Sequence, residues 1–297
     1  MLDSDFASAI GQAIANSRGQ RFLIRRSRDV GGGCINRAFA IDDSERCYFV
    51  KVNDTPACAG MLRAEADGLR ELAASNSVRV PEPLCDGSFN GHSYLVMEYL
   101  ELGGNDSNAS ERLGEQLARM HHHYADRHGW STDNTIGLTP QINTPQKHWA
   151  DFFCQQRLAY QFELAHNNGY HGHLLDNGMR LLEVVSALLE HYPKPSLLHG
   201  DLWSGNYGIC RDGQPALFDP AVYYGDRETD IAMTELFGGF PARFYHAYWH
   251  HYPQTPGYAA RKTLYNLYHI LNHLNLFGGS YYSQAERMVS ALLSEAR

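Results

Sequence analysis

The hydrophobic period of this chain changes once, near residue 100, and that change limits the folds open to it. Before it, apolar and polar residues alternate in short segments, the pattern of half-buried strands, over 36–41, 47–53, 84–89 and 93–98. Turn residues separate them: Asp42-Asp43-Ser44 in one case and Asn90-Gly91 in another. A further strand is predicted over 21–28, just ahead of Gly31-Gly32-Gly33. Two helices accompany them, one over 1–16, where Phe6, Ile10 and Ile14 recur at helical spacing, and one over 59–74. After Leu102-Gly103-Gly104 a spacing of three and four takes over. It predicts helices over 109–127, 149–168, 178–192, 241–250, 258–276 and 283–296, with short strands near 197–199, 207–210 and 216–218. The expectation is an α+β fold with a small β-rich lobe over 1–100 and a larger, mainly helical lobe over 101–297. At roughly 150 residues per domain, a chain of 297 suits two such lobes.

Composition narrows the function classes. Hydrophobic residues make up 43% and charged residues 20%, as in core-forming globular proteins. With 25 Lys+Arg against 33 Asp+Glu the net charge is −8. That argues against a nucleic-acid partner, which needs a broad basic field to release counterions. It leaves a phosphate ligand open, because a glycine loop, one lysine and a metal ion reverse the sign locally. The cysteines at 34, 47, 58, 85, 154 and 210 form no Cys-x-x-Cys pair and no zinc spacing. Met1-Leu2-Asp3-Ser4-Asp5 lacks the basic region of a secretory signal, and apolar runs such as 181–189 are too short to span a bilayer. The expectation is a cytoplasmic protein with reduced thiols and no membrane partner. His121-His122-His123 lies near a helix face without a matching Cys or carboxylate spacing, so no dedicated transition-metal site is expected.

The chemistry concentrates in His199-Gly200-Asp201-Leu202-Trp203-Ser204-Gly205-Asn206 and in Asp219, which ends the apolar run Leu217-Phe218. Phosphoryl transfer needs this inventory: one carboxylate to take the proton of an attacking hydroxyl, with an amide and a second carboxylate for Mg²⁺. Lys51 sits in an apolar strand, where an unpaired buried charge is costly. Alone it reads as a strand lysine snorkelling to solvent. In the next helix Leu62, Glu65, Leu69 and Leu72 share one face by spacings of 3, 4 and 3, so Glu65 can reach Lys51 and hold it against nucleotide phosphates. Gly31, Gly32 and Gly33 free backbone N–H groups to approach phosphate, although the pattern matches neither a P-loop nor Gly-x-Gly-x-x-Gly. Residues Met97, Glu98, Tyr99 and Leu100 read as a strand entering a hinge whose backbone meets adenine, or equally as a core strand.

These motifs are similar to those of the fructosamine kinase (ketosamine-3-kinase) family. The likeness rests on Gly-Gly-Gly-Cys-Ile-Asn at 31–36, His-Gly-Asp-Leu-Trp-Ser-Gly-Asn at 199–206 and Asp-Pro-Ala-Val-Tyr-Tyr-Gly-Asp-Arg-Glu-Thr-Asp at 219–230. Leu-Phe-Gly-Gly-Phe at 236–240 and Leu-Asn-His-Leu-Asn-Leu-Phe-Gly-Gly at 271–279 extend it along the chain. The His-Gly-Asp…Asn core is shared with aminoglycoside and choline kinases, so those acceptors remain the alternative. The resemblance implies a protein-kinase-like bilobal fold and ATP- and Mg²⁺-dependent phosphorylation of the 3-hydroxyl of ribulosamine, erythrulosamine or fructosamine adducts, small or protein-bound. The 3-phosphate then eliminates and frees the amine. By position, Asp201 resembles the catalytic base, Asn206 and Asp219 the Mg²⁺ ligands, and Lys51 with Glu65 the phosphate-holding pair. Trp203 would offer its face to the sugar. Asp219-Pro220-Ala221 stands where protein kinases carry Asp-Phe-Gly, and no activation segment follows.

Asp230 is expected to brace the 199–206 loop by accepting backbone N–H groups, with His199 as loop architecture. His273 fits either a core histidine or a substrate contact. Cys34 fits either a small turn residue or a thiolate stabilised by N–H donors, whose oxidation would block nucleotide binding or link a homodimer; the chain is otherwise expected to be monomeric.

Overall fold

The computed structural model describes residues 2–31, 36–55 and 59–296, which fall into two compact units. The first comprises residues 1–106 with 208–219; the second comprises 107–207 with 220–297.

In the first unit, α1 (Ser4–Arg18) is capped by Asp3, whose carboxylate accepts the N–H groups of Asp5 and Phe6 at 3.0 and 3.3 Å. It stops at Gly19, in the left-handed conformation that glycine adopts without penalty. Five antiparallel strands follow, β1 (Arg26–Asp29), β2 (Arg37–Asp42), β3 (Cys47–Asn53), β4 (Pro83–Phe89) and β5 (His92–Glu98), ordered β1-β2-β3-β5-β4. Helix α2 (Ala59–Ala74) lies between β3 and β4 in sequence and packs on β4 and β5. Phe6, Ile10 and Ile14 bury against Phe39, Ile41, Tyr48, Val50, Val52, Tyr94 and Val96. Each such side chain contributes about 1.5–3 kcal/mol. Alternation along β3 then turns Phe49 and Lys51 to the opposite side, the side of α2. Lys51 lies opposite Ala38 on β2 and Leu95 on β5. The predicted strand over 21–28 shortens to Arg26–Asp29, because Phe22 drops into the core and stacks edge-on against Tyr48.

In the second unit, α3 (Ala109–Met120) is followed by the hairpin β6 (Asn134–Ile136) and β7 (Thr139–Gln141). One continuous helical rod comes next: α4 (Trp149–Phe153), a π-helical turn (Cys154–Ala159) and α5 (Tyr160–Asn167). After α6 (His173–Leu188) and β8 (Ser196–Leu198), the hairpin β9 (Tyr207–Ile209) and β10 (Pro215–Leu217) crosses back to the first unit. There Leu217 N–H donates to Arg79 O at 2.9 Å. Strand β11 (Tyr223–Gly225) pairs antiparallel with β8, and α7 (Glu228–Leu236), α8 (Ala242–His251), α9 (Tyr258–Phe277) and α10 (Tyr281–Glu295) complete the unit. Helix α9 is the central column, packed by α5, α7 and α10.

Two elements depart from the sequence pattern. The helix predicted over 109–127 ends at Met120, where His121 is fully buried and the chain turns so that Tyr124 can bridge to Ser196. Helix α7 had no apolar stripe to announce it: residues 228–234 are all buried, so there is no solvent face against which a period could show. No helix among the described residues is long and apolar enough to cross a membrane.

Candidate active site

In the β-rich unit, Lys51 stands between two carboxylates. Its Nζ is 2.6 Å from Glu65 Oε1 and 2.7 Å from Asp219 Oδ1. Burial alone would lower the ammonium, but Glu65 and Asp219 together hold it above its ordinary value, so it stays charged. Asp219 adopts φ +57, a left-handed conformation that few residues besides Gly, Asn and Asp tolerate. Its side chain is 47% exposed, whereas Lys51 is buried and Glu65 only 11% exposed, so the ion pair opens on the Asp219 side.

The expected adenine-contacting strand is β5 and its exit. Met97 is buried, opposite Phe49, and Glu98 accepts from Arg79 Nη2 at 2.7 Å and from the N–H of Glu82. Tyr99 hydrogen-bonds through its hydroxyl to Arg28, whose guanidinium also lies 5.2 Å from the ring centroid, and Leu100 follows half-buried. Gly31 is exposed; Gly32, Gly33 and Cys34 lie outside the described residues.

In the helical unit, the loop after β8 is set by geometry more than by charge. Gly200 has φ +84, and a Cβ there would overlap the carbonyl oxygen of Ala221, so only glycine fits. Asp230, in the first turn of α7, accepts His199 N–H at 2.7 Å on Oδ2 and Gly200 N–H at 2.9 Å on Oδ1. Burial pushes this carboxyl up, but His121 and the Gly200 N–H overcome that and hold it below the ordinary range. His121 Nε2 is 3.2 Å from Asp230 Oδ2, and its Nδ1 is 2.7 Å from Tyr248 Oη. Burial lowers the His121 pKa, so the ring is neutral: Nε2–H donates to Asp230 and Nδ1 accepts from Tyr248.

Within the loop, Asn206 Nδ2 donates to Asp201 O at 2.8 Å and to Asp201 Oδ2 at 3.1 Å, and Asp201 N–H donates to His199 Nδ1 at 3.3 Å. Asn206 thus spends its amide nitrogen on Asp201. An amide oxygen such as its own, like the carboxylate oxygens of Asp219 in the other unit, is a hard donor of the kind that suits Mg²⁺ and not a thiophilic metal. Trp203 is 39% exposed, and its indole folds across Gly205, where any side chain would displace it. His273, half-buried on α9, donates Nδ1–H to His269 O at 2.8 Å, which leaves Nε2 as the acceptor; burial lowers its pKa and keeps it neutral.

Sequence reasoning set His121 aside as part of a histidine run, read Gly205 only as part of the 199–206 motif, and passed over Tyr248 and Arg157. The last is fully buried in the π-turn, donates to Ile142 O and Asn143 Oδ1, and lies 4.2 Å from the Tyr223 ring centroid. Nothing in spacing pointed to Tyr248 or Arg157.

Comparison with known proteins gives the family. Residues 6–295 match the family described as fructosamine kinase. A probable ketoamine kinase from Synechocystis sp. is 50% identical over 285 residues, covering 96% of each chain. The protein-ribulosamine 3-kinase, chloroplastic, of Arabidopsis thaliana is 40% identical, covering 93% of this chain and 85% of the plant protein. The crystal structure of a protein assigned as a fructosamine-3-kinase from Haemophilus somnus superposes with a TM-score of 0.88 at 34% identity, covering 96% of both chains. A choline kinase from Streptococcus pneumoniae, 16% identical with a TM-score of 0.65 and covering 98% of this chain and 100% of that one, shares the fold alone. Lys51 beside its carboxylates, the Asp201 loop and these relatives converge: the chain belongs to the fructosamine kinase family and is an ATP-using, kinase-fold enzyme that phosphorylates ketosamines.

Proposed function

We propose that the chain transfers the γ-phosphoryl group of ATP to the 3-hydroxyl of a ketosamine: a ribulosamine, erythrulosamine or fructosamine adduct. The observation that carries this is the anchoring of Asp201: Asn206 fixes its carboxylate at 3.1 Å, on a loop clamped by Asp230. Asp201 accepts the 3-hydroxyl proton as that oxygen bonds to phosphorus and the bridging oxygen leaves with ADP. Lys51, held by Glu65, steadies the nucleotide phosphates, and the glycine loop at 31–33 and the backbone of 97–100 receive the rest of the nucleotide. Asn206 and Asp219 supply oxygen ligands for Mg²⁺, which when bound neutralises charge building on the phosphates. Trp203 offers its face to the sugar, and His273 Nε2 accepts from one of its hydroxyls. The plant relative, named a protein-ribulosamine 3-kinase, supports ribulosamine as one such acceptor.

The setting is cytoplasmic on this reading. Burial raises the pKa of Cys47, Cys85, Cys154 and Cys210, none of which forms a disulfide among the described residues, so these thiols are unreactive at neutral pH.

An ATP-consumption panel tests the proposal, with ribulosamine, erythrulosamine, fructosamine, an aminoglycoside and choline as acceptors and the phosphate position assigned by NMR. Ketosamine turnover with phosphate on O3 is expected. Phosphate on another oxygen, or turnover of the aminoglycoside or choline alone, overturns it.

A further inference from the structure

Trp203 begins a row of rings that leads away from the catalytic loop. Its indole meets Phe237 edge-on at 6.5 Å between centroids, and Phe237 lies 4.9 Å from His273. His273 is in turn 5.6 Å from Phe277 and 5.1 Å from Tyr281. The rings come from four places in the chain: the loop after β8, the C-terminal cap of α7, α9 and the first residue of α10. His273 and Phe277 sit four apart on α9, one turn above another. The ring contacts thus start two residues from Asp201, pass through Phe237 and branch at His273.

Both ends of the row face water. Trp203 is 39% exposed and Phe277 is 61% exposed. An isolated exposed phenylalanine needs no explanation, but one that continues an aromatic row from an active-site loop does. Ring faces attract cations. Elsewhere in this protein arginines and lysines take such faces, over Tyr99, Phe39, Phe22, Phe152, Tyr223, Tyr268, Tyr124, Tyr248, Trp249, Tyr252 and Tyr258. Among the described residues, no lysine or arginine lies over Trp203, Phe237, Phe277 or Tyr281, and the neutral His273 in their midst adds no positive charge.

The substrate class brings the missing cation. A ketosamine carries on C1 a secondary amine that is protonated at neutral pH, two carbons from the hydroxyl to be phosphorylated. We propose that Phe237, the ring next to Trp203, meets the ammonium of the acceptor while Trp203 holds the sugar, and that Phe277 and Tyr281 hold the apolar arm that extends beyond the nitrogen. This rests on the ketosamine reading above and deepens it: the rings explain how the enzyme tells a ketosamine from a plain ketose of the same shape.

The test is steady-state kinetics of the full chain with saturating ATP and a matched acceptor pair. One is a ketosamine with a basic amine; the other is its N-acyl analogue, in which the nitrogen is a neutral amide. The readout is the ratio of kcat/KM for the charged acceptor to that for the neutral one. Phe237→Leu, which keeps apolar bulk and loses the ring face, lowers this ratio roughly two- to five-fold. Phe277→Leu leaves the ratio as it is and raises KM for acceptors with a long apolar arm. The exposed Met179→Ala, on α6, keeps the wild-type ratio. Thermal melts accompany each variant. A wild-type enzyme active on ketosamines whose ratio is unmoved by Phe237→Leu, in a variant that melts as the wild type does, overturns the subsite alone. A wild-type enzyme that turns over neither acceptor overturns the ketosamine reading and the subsite with it.

Discussion

The β-rich unit holds its functional lysine by charge, and the helical unit holds its functional loop by shape. Lys51 is fixed by two carboxylates, one buried and one half in water, and such a group can exchange a carboxylate for an arriving phosphate without moving the backbone. The Asp201 loop is fixed by a glycine that nothing else can replace and by two backbone N–H groups on Asp230. A loop held in this way suits the proposed role of Asp201, which has to meet a hydroxyl at hydrogen-bond distance. One region is built to rearrange around a ligand; the other is built to keep still.

The comparison breaks most visibly at Asp201. Asp201→Asn keeps the fold and the affinity for a nonhydrolysable ATP analogue, while turnover falls by about 10²–10⁴. Near-normal turnover removes Asp201 from the role of base. Next in size is Gly200→Ala, which forces a Cβ into the Ala221 carbonyl at φ +84 and costs about 3 kcal/mol or more, read as a lower denaturant midpoint. An unchanged midpoint would mean that the loop yields, against the rigidity claimed for it.

Acid should separate the two regions further. In the helical unit, burial lowers His269 to about 3 and His128 to about 4, with His121 lowered as well. The unfolded chain takes protons at these histidines below about pH 6.5, and the folded chain does not until far lower. Stability therefore falls as pH drops from 6.5 towards 4. At pH 5 the loss is about 2 kcal/mol for each of His269 and His128, measurable as a falling midpoint between pH 7 and 5. Lys51, by contrast, has its pKa raised, so the ammonium stays charged throughout this range and loses its proton only well above pH 10. A flat stability profile from pH 7 to 5 would show that the buried histidines are solvated. The smallest effect expected is at Lys51 itself: Lys51→Ala lowers kcat/KM for ATP roughly ten- to hundred-fold, in line with loss of charged hydrogen bonds to phosphate. An unaltered value takes Lys51 out of nucleotide binding.

What could be read in advance depended on whether the cause was local. Glu65 was legible because three leucines on the same helical face marked the direction of the core, and a glutamate among them had to meet a cation. The strand β3 and helix α2 stood where the period placed them, since each buries one face and exposes another. Helix α7 was illegible for the converse reason, being surrounded by protein on every side. It carries Glu228, buried against Arg261 at 2.7 Å, and Asp230, and its acidic lettering looks like a solvent loop until those partners are known. The break near residue 100 likewise says nothing of 208–219, which pack with residues before 107 through contacts such as Leu217 to Arg79.

By itself the sequence determined the order and kind of most elements, the motif residues Asp201, Asn206 and Asp219, and the family they announce. These follow from spacing within a turn or two of chain, where geometry is dictated by 3.6- and 2-residue periods. Only the tertiary structure decided that Lys51 meets Asp219 across 168 positions, that His121 reaches Asp230 across 109, and that the Trp203 ring meets Phe237 and Phe237 in turn meets His273. Those partners are chosen by which surfaces the folded units bury together, and no local period encodes that choice.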